Sequence, residues 1–414
     1  MDEQAAAGTQ LETAEPARRS ELDLLGMAVV LGLVFFHALQ IFSIGDFPVK
    51  NDPQSFAATA LIAFASLWGM PLMMLMAGIA VWYSLRKRTT GDFVRNRVRR
   101  LLVPLVVSMP LFVPPQVYFG LLGDPAYRET YLQFFPRFFD LRFAWSFPLF
   151  IEGAPLGCFF GLSHLWFLLY LFVYTLLLLP LFLFLKRPGG EALLERLGRF
   201  VARPGAIYLL GVPVGLIEAA FRSEAPSGWN RFVWVPILVY GFLLGRDRRF
   251  DQAIQARRRS ALLIAAGTFL LYAGGFAALH EWAGVDPWSD FSFGALSVRF
   301  IKGVSSWAWL VAIMGWAGYL SLPRSRPGVP SDRRRSFFAA GFREYAKGAQ
   351  LPFYVLHYLP IVVIGYYVVQ WDLGAFAKYL LICIGALVVT VVVYDIGVRR
   401  TRLTRFLFGV EPER

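Results

Sequence analysis

Four histidines carry most of the chemistry this sequence can offer: His37, His164, His280 and His357. An imidazole titrates near neutral pH, so it can take a proton from a hydroxyl as that oxygen attacks an activated carbonyl. His37 lies past the middle of one apolar run, LGLVFFHALQ, and His357 near the middle of another, LPFYVLHYLP. An ionisable residue at that depth costs free energy unless it faces a polar interior, which makes both functional candidates. The competing account of each is a neutral imidazole bonded to a nearby carbonyl or Ser. His164 opens the run GLSHLWFLLY and His280 precedes Glu281 and Trp282, so both read as interfacial. Metal chemistry has no motif here: there is no HExxH, no paired Cys and no His pair at i, i+4. A GxSxG nucleophile elbow is missing too.

A second constellation is basic. SLRKRTTGDFVRNRVRRLLVP places Arg86, Lys87, Arg88, Arg95, Arg97, Arg99 and Arg100 ahead of Pro104. On a helix Arg95 and Arg99 share a face, as do Arg97 and Arg100. Guanidinium groups next to an apolar run can hold phosphates bidentately, or they can attract lipid headgroups.

Such residues need elements to hold them. Of 414 residues, 57% are hydrophobic and 17% charged, against roughly 45–50% and roughly 25% in soluble domains. Mean hydropathy is +0.53. That composition excludes a disordered chain and argues against a soluble enzyme. Aromatics at 16% suit two membrane interfaces. The expected fold class is all-α: a polytopic membrane protein of about ten transmembrane helices, at approximately 24–44, 61–83, 101–122, 162–185, 205–221, 232–245, 260–280, 298–320, 350–370 and 375–398.

The net charge of +13 could suggest nucleic acid, but the basic residues sit in short clusters between apolar runs. Alternate connections (1–23, 85–100, 186–204, 246–259, 321–349 and 399–414) hold 32 of the 41 Lys and Arg. The positive-inside rule therefore predicts that both termini are cytoplasmic and that nucleic acid is no partner. The polar start and the long run from Leu24 to Ile44, followed by GDFPVKNDP, read as a retained span rather than a cleaved signal. The chain divides into a polar tail (1–20), a membrane domain (21–400) and a basic tail (401–414), with a Pro-rich linker PRSRPGVPSDRRRS inside the largest internal segment. Cys158 and Cys383 cannot build a disulfide framework. Asp23 is expected to cap the first helix, and Glu218 and Asp395 lie near enough to interfaces to be wetted. Segment 127–160, with Tyr127, Tyr131, Phe134, Phe135, Phe138, Phe139, Phe143, Trp145, Phe147 and Phe150, reads as an amphipathic element lying in the interface.

Several pieces, in order, resemble the acyltransferase-3 family, including its glucans biosynthesis protein C relatives. LDLLGMAVVLGLVFFHALQIFS is similar to the family's first span, MPLMMLMAGIAVWYSL to its second, and DFVRNRVRRLLVPL to its basic motif. HLWFLLYL, GWNRFVWVPILVYGFLLG, LPFYVLHYLPIVV and RLTRFLFG resemble its later spans and tail. The resemblance implies an integral membrane enzyme that moves an acyl group from a cytoplasmic acyl-CoA to a glycan or other acceptor. On it, His37 matches the catalytic histidine, Arg97 and Arg99 the spaced arginine pair, which Arg100 extends, His164 and Trp166 the fourth-span motif, and His357 the late histidine. One departure stands out: the family's Arg eleven residues before the catalytic His falls here on Gly26, and Arg18 and Arg19 lie too far back to replace it.

The expected function is thus O-acyl transfer (acetyl or succinyl) in a cell membrane, a bacterial inner membrane as the resemblance implies, to a glycan or lipid-linked acceptor. Membrane lipids are its surroundings, acyl-CoA is the co-substrate, and no permanently bound cofactor is implied. The alternative is a transporter or flippase of a lipid-linked or anionic solute, although such folds usually carry internal repeats, which this sequence lacks. A third reading is a non-catalytic partner in an envelope-synthesis complex.

Overall fold

Inside a bilayer each backbone N–H and C=O must be satisfied within the protein, so apolar runs fold as helices. The structure, a computed structural model, describes residues 20–144, 151–153, 161–221, 228–320 and 333–410, with some side chains of 20–23, 151–153 and 333–343 outside that description. Helices fall on every apolar run. In chain order they are α1 (Ser20–Gln40), α2 (Phe56–Ser66), α3 (Gly69–Lys87), α4 (Thr90–Arg97), α5 (Val103–Leu121), α6 (Tyr131–Phe138), α7 (Trp166–Leu177), α8 (Leu179–Phe184) and α9 (Pro188–Val201). There follow α10 (Gly211–Ala220), α11 (Trp234–Arg246), α12 (Arg248–Ala277), α13 (Phe293–Leu320), α14 (Arg333–Leu356), α15 (Tyr358–Val368), α16 (Ala375–Val392) and α17 (Arg402–Leu407). Strands β1 (Leu141–Phe143) and β2 (Ile151–Gly153) form one small antiparallel ribbon.

Five helical stretches are long and apolar enough to cross a membrane: Phe56–Lys87, Thr90–Leu121, Arg248–Trp282, Phe293–Leu320 and Ala375–Val398. A sixth is the pair Glu344–Leu356 and Tyr358–Val368, bent by 50°. The apolar helices Leu24–Gln40, Ser163–Leu177 and Ala206–Ala220 are shorter. The fold is therefore all-α, with five or six helices of spanning length among the described residues.

Two breaks have a local cause. Between α4 and α5 the helix widens to a π turn at Val98–Leu102, where the Val103 N–H reaches back to the Val98 carbonyl. Pro104, with no N–H, cannot bond the Arg100 carbonyl, so the ladder must reset there. Between α14 and α15 the chain bends at His357, three residues before Pro360, which cannot bond the Leu356 carbonyl.

Packing at the centre is close. A Cβ on Gly78 would come within 2.2 Å of the Leu238 carbonyl oxygen, and one on Gly241 within 2.0 Å of the Leu75 carbonyl oxygen, so α3 and α11 touch backbone to backbone. Small residues permit such approach where van der Waals packing, rather than water exclusion, holds helices together. Helix α6 is amphipathic, with Phe134 and Phe138 buried and Leu132 exposed. It matches the expected aromatic element in part, because Trp145, Phe147 and Phe150 lie outside the described residues.

Glu218, expected to be wetted, is fully buried. Its Oε2 accepts from Lys302 Nζ at 2.9 Å, and its Oε1 accepts from the Asn230 backbone N–H at 2.8 Å. Lys302 also donates to the Gly228 carbonyl and stands 4.1 Å from the Trp229 ring centroid. One turn away, buried Arg299 donates to the carbonyls of Pro287, Asp290 and Ala219 at 2.9, 2.8 and 3.2 Å, tying the loop before α13 to α10. Distance along the chain from a span end is a poor guide to burial here, because the connecting loops fold back over α10 and α13.

Removing one partner of a buried pair leaves the other charge uncompensated, at a cost of about 3–5 kcal/mol. Lys302→Met should therefore lower the thermal unfolding temperature of the detergent-solubilised protein sharply, and adding Glu218→Gln should restore most of the loss. A single variant as stable as wild type would show that the pair does no such work.

Candidate functional site

Three of the four histidines meet, though they come from three separate parts of the chain. His37 lies in the last turn of α1, His164 in a short 3-10 turn (Ser163–Leu165) leading into α7, and His357 at the bend between α14 and α15. The His357 ring centroid is 5.4 Å from that of His37 and 5.4 Å from that of His164. Tyr358 lies among them, 4.8 Å from His37 and stacked at 4.7 Å on His164. His164, expected at an interface, is buried. His280 is exposed against Phe276 and stands apart from the cluster.

Hydrogen bonds set each ring's tautomer. His357 Nδ1 faces two carbonyl oxygens, of Phe353 at 3.0 Å and Tyr354 at 2.9 Å. Carbonyls only accept, so Nδ1 carries the proton and Nε2 keeps a lone pair. Among the described residues that Nε2 is buried without a partner. His164 Nε2 donates to the Val355 carbonyl at 3.0 Å, which leaves its Nδ1 as a second buried, unpartnered acceptor. His37 Nδ1 pairs with Gln40 Oε1 at 2.7 Å, so its Nε2 keeps the lone pair. His37 is half-buried, the most accessible of the three.

The cluster also holds groups the sequence reading passed over. Ser163 Oγ donates to Gln116 Oε1 at 2.7 Å, and the Tyr358 hydroxyl is hydrogen-bonded to Ser163. This fixes the Gln116 amide with Nε2 turned to the other side, buried and without an acceptor. Ser163 has φ +45°, the left-handed region that non-glycine residues rarely adopt and that marks functional constraint. Tyr354 donates to the His164 carbonyl. Ser163 stands beside a histidine and Gln116 is a lone amide in a Pro-rich apolar helix; those were the available signals. Buried polar groups are normally paired, so two bare acceptors and one bare donor in one place need an account.

The arginines separate. Arg95 is exposed and pairs with Asp92 at 3.6 Å, and Arg99 rests 5.3 Å over the Phe406 ring, so the π turn keeps the two from acting as one face. Arg97 is buried over Phe93 at 4.8 Å, and no carboxylate pairs with it among the described residues. The Arg100 carbonyl meets the C-terminal tail at Gly409. Trp166 packs on Trp234 and Tyr170, 5.5 and 5.4 Å away, rather than on the histidines. Asp23 lies in the first turn of α1, and its side chain falls outside the described residues. Asp395 is half-exposed, 3.9 Å from Arg399. At Gly26 a Cβ would lie 2.0 Å from Gln350 Nε2, so the Gln350 amide fills the space a side chain would need. Among the described residues no group of three or more His, Cys, Asp and Glu side chains is placed to hold a metal ion.

Apolar helices thus surround a cluster of three imidazoles, two of them buried. The family model for the acyltransferase domain matches residues 19–395, and the chain belongs to the acyltransferase-3 family. It is an acyltransferase. Comparison with curated proteins finds no match, and comparison with solved structures finds none.

Ser163→Ala removes the hydroxyl that orients Gln116 and leaves buried amide oxygen unpaired, a loss of about 1–3 kcal/mol. A lower unfolding temperature in detergent is expected, with helicity by circular dichroism unchanged. Wild-type stability would mean that the Ser163–Gln116 bond contributes nothing.

Proposed function

We propose that this acyltransferase moves an acyl group, acetyl or succinyl, from acyl-CoA at the cytoplasmic side to a hydroxyl of a glycan or other envelope acceptor. The observation that carries the reading is the meeting of His37, His164 and His357 with bare ring nitrogens beside the unpaired Gln116 amide. Bare acceptors fit a substrate hydroxyl, and a bare donor fits a carbonyl oxygen that gains charge.

In this mechanism His37 Nε2 takes the acceptor's hydroxyl proton as the oxygen attacks the thioester carbonyl carbon. Gln116 Nε2 donates to the resulting oxyanion. The carbon–sulfur bond then breaks, and the departing thiolate receives the proton from His37, giving ester and free CoA. His357 and His164 orient the reacting groups. Arg97, Arg99 and Arg100 hold the donor's phosphates; a buried guanidinium without a carboxylate is costly unless an anion arrives to pair with it. Gln350 fills the space beside Gly26, where the family carries an Arg.

The setting we propose is a cell membrane crossed ten times with both termini in the cytoplasm, which the placement of 32 of 41 basic residues supports. The shorter helices then cross as bent or paired segments. A transporter reading draws on the same broken helix at His357, since transport sites use such breaks. Release of free CoA by purified protein, measured with a thiol reagent, separates the two.

Two outcomes follow. His37→Gln keeps a hydrogen-bonding group but cannot carry a proton, so CoA release should fall by about 10²-fold or more while donor binding persists; a rate near wild type would remove His37 from the mechanism. A reporter fused after Arg414 should read as cytoplasmic and one inserted at Asp124 as external; finding both on one side would end the ten-span arrangement.

A further inference from the structure

Outside the histidine cluster, a cleft of about 700 Å³ opens where the ends of α3 and α11 meet the starts of α9 and α12. That volume lies within the range of small-molecule sites, roughly 300–1,000 Å³. Four cations line it, Arg86, Lys186, Arg246 and Arg248, against two carboxylates, Glu191 and Asp251. It opens among the basic connections at 85–100, 186–204 and 246–259.

Two of the cations are held in place before any ligand arrives. Arg246 and Arg86 lie 5.0 and 5.9 Å from the centroid of the buried Trp82 ring. Gly245 keeps that contact open, because a Cβ there would come within 3.0 Å of Trp82 Cβ. Arg246 gives one Nη to Glu191 at 3.2 Å, yet its Nε is buried with no partner. Lys186 Nζ gives one hydrogen bond to the Leu85 carbonyl at 2.7 Å and has two more to give. A stacked guanidinium is rigid and still presents N–H groups at its edge, the geometry that matches phosphate oxygens.

We propose that this cleft is a phosphate-binding site, built for the diphosphate of a nucleotide, with Arg86, Lys186, Arg246 and Arg248 on the phosphates and Glu191 accepting from a ribose hydroxyl. It is separate from Arg97, Arg99 and Arg100 and does not require that acyl transfer occur. The same phosphate chemistry can come from a soluble nucleotide or from an anionic lipid headgroup, and the test distinguishes them.

The full-length protein in neutral detergent is titrated calorimetrically with ADP, and in nanodiscs its retained phosphatidylglycerol is counted by native mass spectrometry. Arg86→Glu reverses an exposed charge with little risk to folding, and Arg246→Lys keeps charge while removing the planar fork. For a nucleotide site, both variants should weaken ADP binding by at least about tenfold, and added salt should weaken it in wild type. Absence of ADP binding together with loss of one retained phosphatidylglycerol in Arg86→Glu would assign the phosphate to lipid instead. ADP affinity unchanged in both cleft variants but lost in Arg97→Ala, or neither probe responding to any cleft variant, would overturn the site.

Discussion

The bend at His357 is held by the residue that makes it interesting. Within an apolar bundle a carbonyl released from its helix must find another donor, or the break costs several kcal/mol. At this break the His357 imidazole donates to the Tyr354 carbonyl and to that of Phe353, which the His357 backbone N–H also meets at 3.1 Å, and His164 donates to Val355. Each ring spends its single N–H on the backbone and turns a lone pair inward. The bare nitrogens of His357 and His164 thus accompany hydrogen bonds that hold the broken helix, while His37 spends its N–H on the Gln40 side chain.

The same rule governs the charges. Glu218 and Lys302 are tolerable in the interior because each meets the other and further polar groups besides. Arg299 is tolerable because loop carbonyls surround it. Arg97 departs from that rule among the described residues, with an aromatic ring beneath it and no carboxylate beside it. Its burial rests instead on the Phe93 ring and on its place at the end of α4, where the chain enters the π turn.

Much of this was legible in the sequence, and the parts that were not share a cause. Apolar run length predicts a helix at each of the ten runs, though not the helices α4, α6, α9 and α17 that lie between or beyond them, and motif order leads to the family. Depth along a run predicts His37 and His357 as interior groups. It fails for His164 and Glu218, which begin or end their runs yet are buried, because run position says nothing about loops folded over a helix end. Gln116 and Ser163 escape notice for a different reason: their significance lies in a bond across 47 residues, and no local pattern encodes it. The spacing of Arg95 and Arg99 presumes an α-helix, and the π turn at Val98–Leu102, ahead of Pro104, has no local pattern that announces it.

Gly26 shows how a departure from a motif can be read physically. The space a side chain would need there is taken by the Gln350 amide on α14, so α1 and α14 pack closely along the half of α1 that precedes His37. An Arg at 26 could not be restored without displacing Gln350. Over its first turns α1 therefore packs on α14, and at its far end His37 is half-buried. The position where the family carries an Arg meets a neutral amide in this chain, so a charge there has been exchanged for packing.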